Sequence, residues 1–154
     1  MANIAQTVNV LQAMILTEGD AMVLTPTYHV FRMYIPFQDA TFLPGSFEEA
    51  PVYELEEYGV PAVSATAARG EDGRLYASLA NLHPADAADV TLAIEGAPPR
   101  IVSAEVLTAP RIDSHNTFAA PDQVRPRRFE GAAVRDGALH VELPAKSIVM
   151  IALE

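Results

Sequence analysis

The stretch from Val8 to Leu16 restricts the fold of this chain more than any other. It is apolar at every position except Asn9 and Gln12. A strand buried on both faces has that pattern, because neither side needs to meet water. Glu18-Gly19-Asp20 then reads as a turn, and Met22-Val23-Leu24 as a short apolar step beyond it. Thr25-Pro26 is the N-cap and first-turn pair that opens a helix, with Val30, Met33 and Tyr34 at helical spacing behind it. Pro36 ends or kinks that helix. The sum is one β/α unit, of the kind that repeats to close a barrel with ligand groups at its strand ends. One unit cannot close a barrel. Met1 to Gln6 reads as the end of an earlier helix.

The period changes further on. Leu43-Pro44-Gly45 is the expected domain boundary, and Ser46 to Glu57 follows as an acidic, proline-interrupted linker that runs into the start of a strand. From there the pattern approaches a period of two. Val60–Ala67 and Leu75–Leu82 flank Glu71-Asp72-Gly73, a hairpin signal, and Ala132–Val134 and Leu139–Leu143 flank Arg135-Asp136-Gly137, a second one. Val90–Ile94, Ile101–Leu107 and Ser147–Leu153 read as further strands, with a break at Ala97-Pro98-Pro99. Ala109–Arg128 is a long irregular segment of the kind that is functional or docked on a neighbour. The fold class expected is therefore mainly β. An antiparallel, jelly-roll-like β-sandwich covers residues 44–154, preceded over residues 1–43 by the last β/α unit of an incomplete (β/α)8 barrel.

Charge removes whole classes of function. The 154 residues carry 20 acidic and 10 basic side chains, a formal net charge of −10, so neither nucleic acid nor an anionic membrane is an expected partner. There is no cysteine, hence no disulfide framework or thiolate metal site, which fits a reducing cytoplasm. The start of the chain has no basic n-region, and Val8–Leu16 is too short and too interrupted to span a bilayer.

Catalytic chemistry is hard to place on these residues. Glycoside hydrolysis needs two carboxyl groups facing one another across the scissile bond. The acids Glu48, Glu49, Glu54, Glu56 and Glu57 form a run that reads as a solvated face, and no pair is aimed into one cleft by a folded element. His29, His83, His115 and His140 lie on different elements, so no metal set is expected, and no catalytic residue or cofactor is assigned. No Gly-x-Ser-x-Gly elbow or glycine-rich phosphate loop is present. One polar residue remains. At the carboxyl end of a barrel strand, the Gln12 amide could both donate to and accept from a sugar hydroxyl; equally, it could be a buried side chain satisfied by backbone. Asp113-Ser114-His115-Asn116-Thr117-Phe118 is the most distinctive loop and suits either substrate contact or an ordered domain interface. Arg125, Arg127 and Arg128 form the one local basic cluster, expected to pair with the protein's own acidic surface.

Several of these motifs occur together, in order, in a known family. Met1-Ala-Asn-Ile-Ala-Gln-Thr-Val-Asn-Val-Leu-Gln12 and Leu24-Thr-Pro-Thr-Tyr-His-Val-Phe31 resemble the last β/α unit of the α-L-arabinofuranosidases of glycoside hydrolase family 51. Leu79-Ala-Asn-Leu82 with Pro84, Leu107-Thr108, His115-Asn-Thr-Phe118 with Pro121, and Leu143-Pro144 with Lys146-Ser147 resemble that family's C-terminal domain. The resemblance implies a retaining hydrolase that removes terminal α-L-arabinofuranosyl groups from arabinose-containing polysaccharides and oligosaccharides. It implies a glutamate acid/base and a glutamate nucleophile at the ends of barrel strands four and seven, both before the first residue here. It also implies that Gln12 contacts the arabinose. The partners implied are an arabinofuranosyl saccharide, the upstream barrel portion and a homo-oligomer. The chain departs from the family at Arg32 and Tyr34-Ile35-Pro36-Phe37, where a charged, proline-free helix is expected. The family's sandwich also borrows N-terminal strands, so a piece like this one lacks part of both domains. The alternatives are a free-standing carbohydrate-binding sandwich, which would need exposed aromatic side chains, and a structural module, which would carry an apolar patch.

Overall fold

The computed structural model describes residues 3–4, 6–96 and 98–154. Two antiparallel sheets enclose the main core. The larger contains β3 (Thr41–Leu43), β6 (Val63–Arg69), β7 (Leu75–Asn81), β9 (Ile101–Thr108), β10 (Arg127–Arg128) and β13 (Ser147–Leu153), in the order β10-β9-β13-β7-β6-β3. The smaller contains β8 (Ala88–Leu92), β11 (Ala132–Arg135) and β12 (Ala138–Leu143), in the order β11-β12-β8. Two separate hairpins complete the strands: β1 (Ile15–Glu18) with β2 (Ala21–Leu24), and β4 (Val52–Leu55) with β5 (Tyr58–Pro61). The expected mainly β sandwich is what forms.

β13 shows why. It pairs along its length with β7 on one side and β9 on the other, so its backbone groups are satisfied. Val149, Ile151 and Leu153 alternate towards the smaller sheet, where they pack with Leu79, Leu139, Val141 and Leu143. Ile148 and Met150 point to the outer face. There Met150 meets Leu107, Val124 and Met33, the last from α1 (Pro26–Met33). A helix and the loop after β9 thus cover the outside of the larger sheet, which explains a strand that is apolar at both parities.

α1 starts as expected. Thr25 is its N-cap, extended at φ −79°, with its hydroxyl accepting from Tyr28 N at 3.4 Å, and Pro26 fills the first turn where an N–H would be unpaired. The helix stops at Met33, and a 3-10 turn, Ile35–Phe37, carries Pro36. His29 and Met33, one turn apart, form the buried face. Burying the Met33 side chain alone contributes about 2 kcal/mol. Arg32 pairs with Glu105 at 3.0 Å and the Tyr34 hydroxyl bonds Ser78 Oγ at 2.6 Å, both partners lying on the sheet beneath. Of the departures noted, Arg32 and Tyr34 are therefore contacts to the sheet.

Both hairpin signals hold. Asp136 (φ 50°) and Gly137 (φ 79°) form the two-residue turn between paired Arg135 and Ala138, a geometry that demands positive φ at both positions. Gly73 (φ 80°) supplies the left-handed residue of the other.

Three expectations need correction. The single strand over Val8–Leu16 does not form. Val8 makes one parallel bridge to Ile15, the chain turns at Leu11–Gln12, and only Ile15–Glu18 continues as β1. Besides the Val8–Ile15 bridge, this stretch has no strand partner before β1 among the described residues, so most of its backbone lacks the ladder a strand needs. The segment expected as a linker up to Glu57 instead forms the β4–β5 hairpin, whose turn places Glu56 at φ 54° without any glycine or asparagine to announce it. β3 lies on the near side of the boundary drawn after Leu43, yet pairs with β6 as an edge strand of the larger sheet. The helix end expected over Met1–Gln6 falls partly outside the described residues; Asn3, Ile4 and Gln6 are neither helix nor strand. Ala97, in the expected strand break, also lies outside them.

Candidate functional site

Gln12 sits on the turn that closes between Thr7–Asn9 and β1. Thr7 O accepts from Ile15 N at 3.0 Å and Asn9 N donates to Ile15 O at 3.1 Å, a short parallel contact. The chain between them turns through Ala13 N–H to Val10 O, 3.0 Å. Asn9 (φ 53°) and Gln12 (φ 58°) both take left-handed backbone, which costs a non-glycine residue of order 1 kcal/mol unless its surroundings impose it.

The surroundings do impose it. The Asn9 carboxamide grips Thr17 three times: Oδ1 accepts from Thr17 N at 2.7 Å, and Nδ2 donates to Thr17 Oγ1 at 2.9 Å and Thr17 O at 3.2 Å. On the other side the Thr25 hydroxyl donates to Ala13 O at 2.7 Å, and Thr25 N donates to Met14 O at 3.0 Å. Ala13 is buried beneath the turn while Gln12 is exposed above it. The Gln12 side chain is exposed and makes no hydrogen bond to another described residue.

The loop Asp113–Phe118 reaches the same region. Asn116, 3% exposed, donates through Nδ2 to Leu24 O and to Val124 O, each at 2.8 Å, and accepts from Val124 N at 2.7 Å. Asn116 thus serves the interface reading of this loop. Its neighbours are local: Arg111 grips Asp113 with two bonds of 2.8 Å, which holds the Asp113 carboxyl below the ordinary carboxylate range, and His115 Nδ1 lies 2.9 Å from Asp113 O.

The other candidates stay apart. Glu48, Glu49, Glu54, Glu56 and Glu57 are all exposed, on and beside the β4–β5 hairpin. His83 Nδ1 accepts from Ala85 N and Asp86 N, at 3.2 and 2.7 Å, and so caps a turn. His140 bonds Thr91 at 3.1 Å across β12 and β8. Among the described residues no three His, Asp or Glu side chains gather to hold a metal ion. Arg127 and Arg128 are exposed on β10, and Arg128 lies 3.9 Å from Glu130. His29 is the outlier. It is 8% exposed, and neither ring nitrogen has a partner among the described residues. Burial lowers its pKa first and Arg32 second, against an opposing pull from Asp122. Sequence reading weighed His29 only as a ligand and missed its burial, which its place one turn before Met33 on the apolar face could have shown.

Among the described residues no helix is long and apolar enough to cross a membrane.

The chain belongs to the alpha-L-arabinofuranosidase C-terminal domain family, whose model matches residues 1–147. It is 43% identical over 154 residues to an intracellular exo-alpha-L-arabinofuranosidase of Bacteroides ovatus, covering all of this chain and 30% of that protein. It superposes on the crystal structure of the GH51 arabinofuranosidase from Xanthomonas axonopodis pv. citri with a TM-score of 0.95 and 52% identity, over 100% of this chain and 31% of that one. The α-L-arabinofuranosidase of Thermotoga maritima, solved as an arabinose complex, matches with a TM-score of 0.81 and 26% identity, over 99% of this chain and 33% of that one. The chain therefore spans about a third of the length of the relatives it matches.

Proposed function

We propose that this chain is the C-terminal portion of a retaining, non-reducing-end α-L-arabinofuranosidase acting on arabinose-containing polysaccharides and oligosaccharides. The observation that carries this reading is the superposition over the whole chain on about a third of a family 51 enzyme. Residues before Thr41 supply the last barrel unit, and residues 41–154 supply the sandwich that backs it. The two catalytic glutamates belong to the preceding barrel portion, on the same polypeptide or another. A retaining mechanism needs two carboxyl groups about 5 to 5.5 Å apart across the bond, whereas Glu48, Glu49, Glu54, Glu56 and Glu57 stand exposed on and beside the β4–β5 hairpin.

Gln12 is the substrate contact. Its exposed carboxamide donates to one arabinose hydroxyl and accepts from another. The clamped turn fixes the Gln12 backbone before the sugar arrives, which lowers part of the ordering cost of binding. The partners are then the arabinofuranosyl saccharide and the preceding barrel, which covers the exposed Val8, Leu11 and Met22; without that barrel, copies of the chain associate through the same apolar side chains. The location is cytoplasmic, in keeping with the intracellular relative. The test is Gln12→Ala in the assembled enzyme. Turnover of an aryl α-L-arabinofuranoside should fall by a kcat/KM factor worth roughly 1 to 3 kcal/mol, the value of one or two lost hydrogen bonds. Unchanged kinetics would remove Gln12 from the site.

A further inference from the structure

We infer that Asn116, on the sandwich side of the molecule, is a positioning residue for Gln12. The inference rests on the reading of Gln12 as a substrate contact. Four links connect them. The Asn116 carboxamide is buried and fully used, with two donated bonds and one accepted, and Val124 N on its oxygen fixes which way the amide points. One donated bond ends on Leu24 O, the carbonyl just before the helix cap. The next residue, Thr25, holds Ala13 O through its hydroxyl and Met14 O through its N–H. Ala13 and Met14 directly follow Gln12, whose left-handed backbone is strained unless its neighbours are held.

The loop thus does something for the barrel side that packing alone does not. It sets where Leu24 and Thr25 sit, and Thr25 sets where the Gln12 turn closes. Asn116 touches no sugar in this scheme. It acts through two other residues, so its loss should loosen the turn while leaving the sandwich core intact. Asn116→Ala also frees the Val124 N–H and carbonyl, while Val124 keeps its packing with Met33, Leu107 and Met150.

Two measurements decide it. In the chain itself, amide hydrogen exchange is followed in Asn116→Ala at Ala13 and Thr25, with Ile151 of β13 as the control. Exchange at Ala13 and Thr25 should quicken about tenfold or more with Ile151 unchanged. Unchanged exchange at Ala13, or equal acceleration at Ile151, would overturn the inference. In the assembled enzyme, Asn116→Ala should lower kcat/KM about tenfold when Gln12 is present and less than about twofold when Gln12 is already Ala. Equal factors in both backgrounds would overturn the positioning role and leave Gln12 as a contact. No effect of Gln12→Ala by itself would overturn the underlying reading, and the exchange data would still report whether the clamp exists. Should Asn116→Ala not fold, Thr25→Val tests the same clamp and Thr25→Ser, which keeps the hydroxyl, should restore both readouts.

Discussion

β13 and the stretch Val8–Leu16 are almost equally apolar, and they end differently. β13 has a paired strand on each edge, a second sheet against one face, and α1 with the loop after β9 against the other. Val8–Leu16 has a single bridge, a turn, and a hairpin; Leu11 is 94% exposed. The difference teaches that an apolar run states a need for burial and not the means of meeting it. Backbone pairing is what converts the run into a strand. Among the described residues β13 is paired on both edges, while Val8–Leu16 has only the Val8–Ile15 bridge and the β1–β2 hairpin.

The sharpest way to break that comparison is to truncate one apolar side chain in each region. Ile151→Ala, at a fully buried position, should cost roughly 2 to 5 kcal/mol in denaturant unfolding, because a cavity adds to the lost transfer energy. Leu11→Ser should change stability by less than about 0.5 kcal/mol. Comparable losses would mean that the N-terminal stretch is as well packed as the core.

A smaller effect tests the polar ties of the sandwich. Asn81 is 2% exposed; it donates to Asp86 O and Leu143 O and accepts from His83 N, so it joins the ends of β7 and β12. Asn81→Ala should cost about 1 to 3 kcal/mol, since buried backbone groups are left unpaired. A neutral variant would mean that water replaces the side chain. Smaller again, Tyr34→Phe removes the 2.6 Å bond to Ser78 and should cost about 1 kcal/mol, loosening the helix from the sheet.

The smallest expected effect is one of pH. The pKa of His29 is lower in the folded protein than in the unfolded chain, so below about pH 6.5 the unfolded state binds more protons and stability falls as pH drops. His29→Leu removes that loss, and its stability should decline less than wild type between about pH 7 and pH 5. Parallel acid slopes would show that the ring is not kept neutral by burial.

Much of the sandwich was legible because its signals are local. Asp136-Gly137 and Gly73 state their turns by backbone chemistry, Thr25-Pro26 states a helix start, and alternation in Leu139–Leu143 states a face. What was illegible depends on distant partners or on unusual backbone. β4–β5 turns on Glu56, a residue type that gives no turn signal. β3 is three residues long and is a strand only because β6 accepts it. Asn116 was visible as part of a distinctive loop, and its bond to Leu24, 92 residues away in the chain, was not. Most family motifs in the sandwich mark ties of this sort: Asn81, Lys146 Nζ on Pro84 O at 2.6 Å, and Ser147 Oγ on Pro144 O at 2.6 Å hold one corner of the sandwich. Gln12 was legible as a polar residue in an apolar run, although the turn that presents it was not.

The most direct test is an arabinofuranosidase assay on an aryl α-L-arabinofuranoside, with the purified chain alone and then supplied with the preceding barrel portion. The account predicts turnover only when both are present, because the barrel brings the two carboxyl groups and this chain brings Gln12 and the sandwich. Turnover by the chain alone would contradict it, and would require a catalytic pair among the chain's own acids.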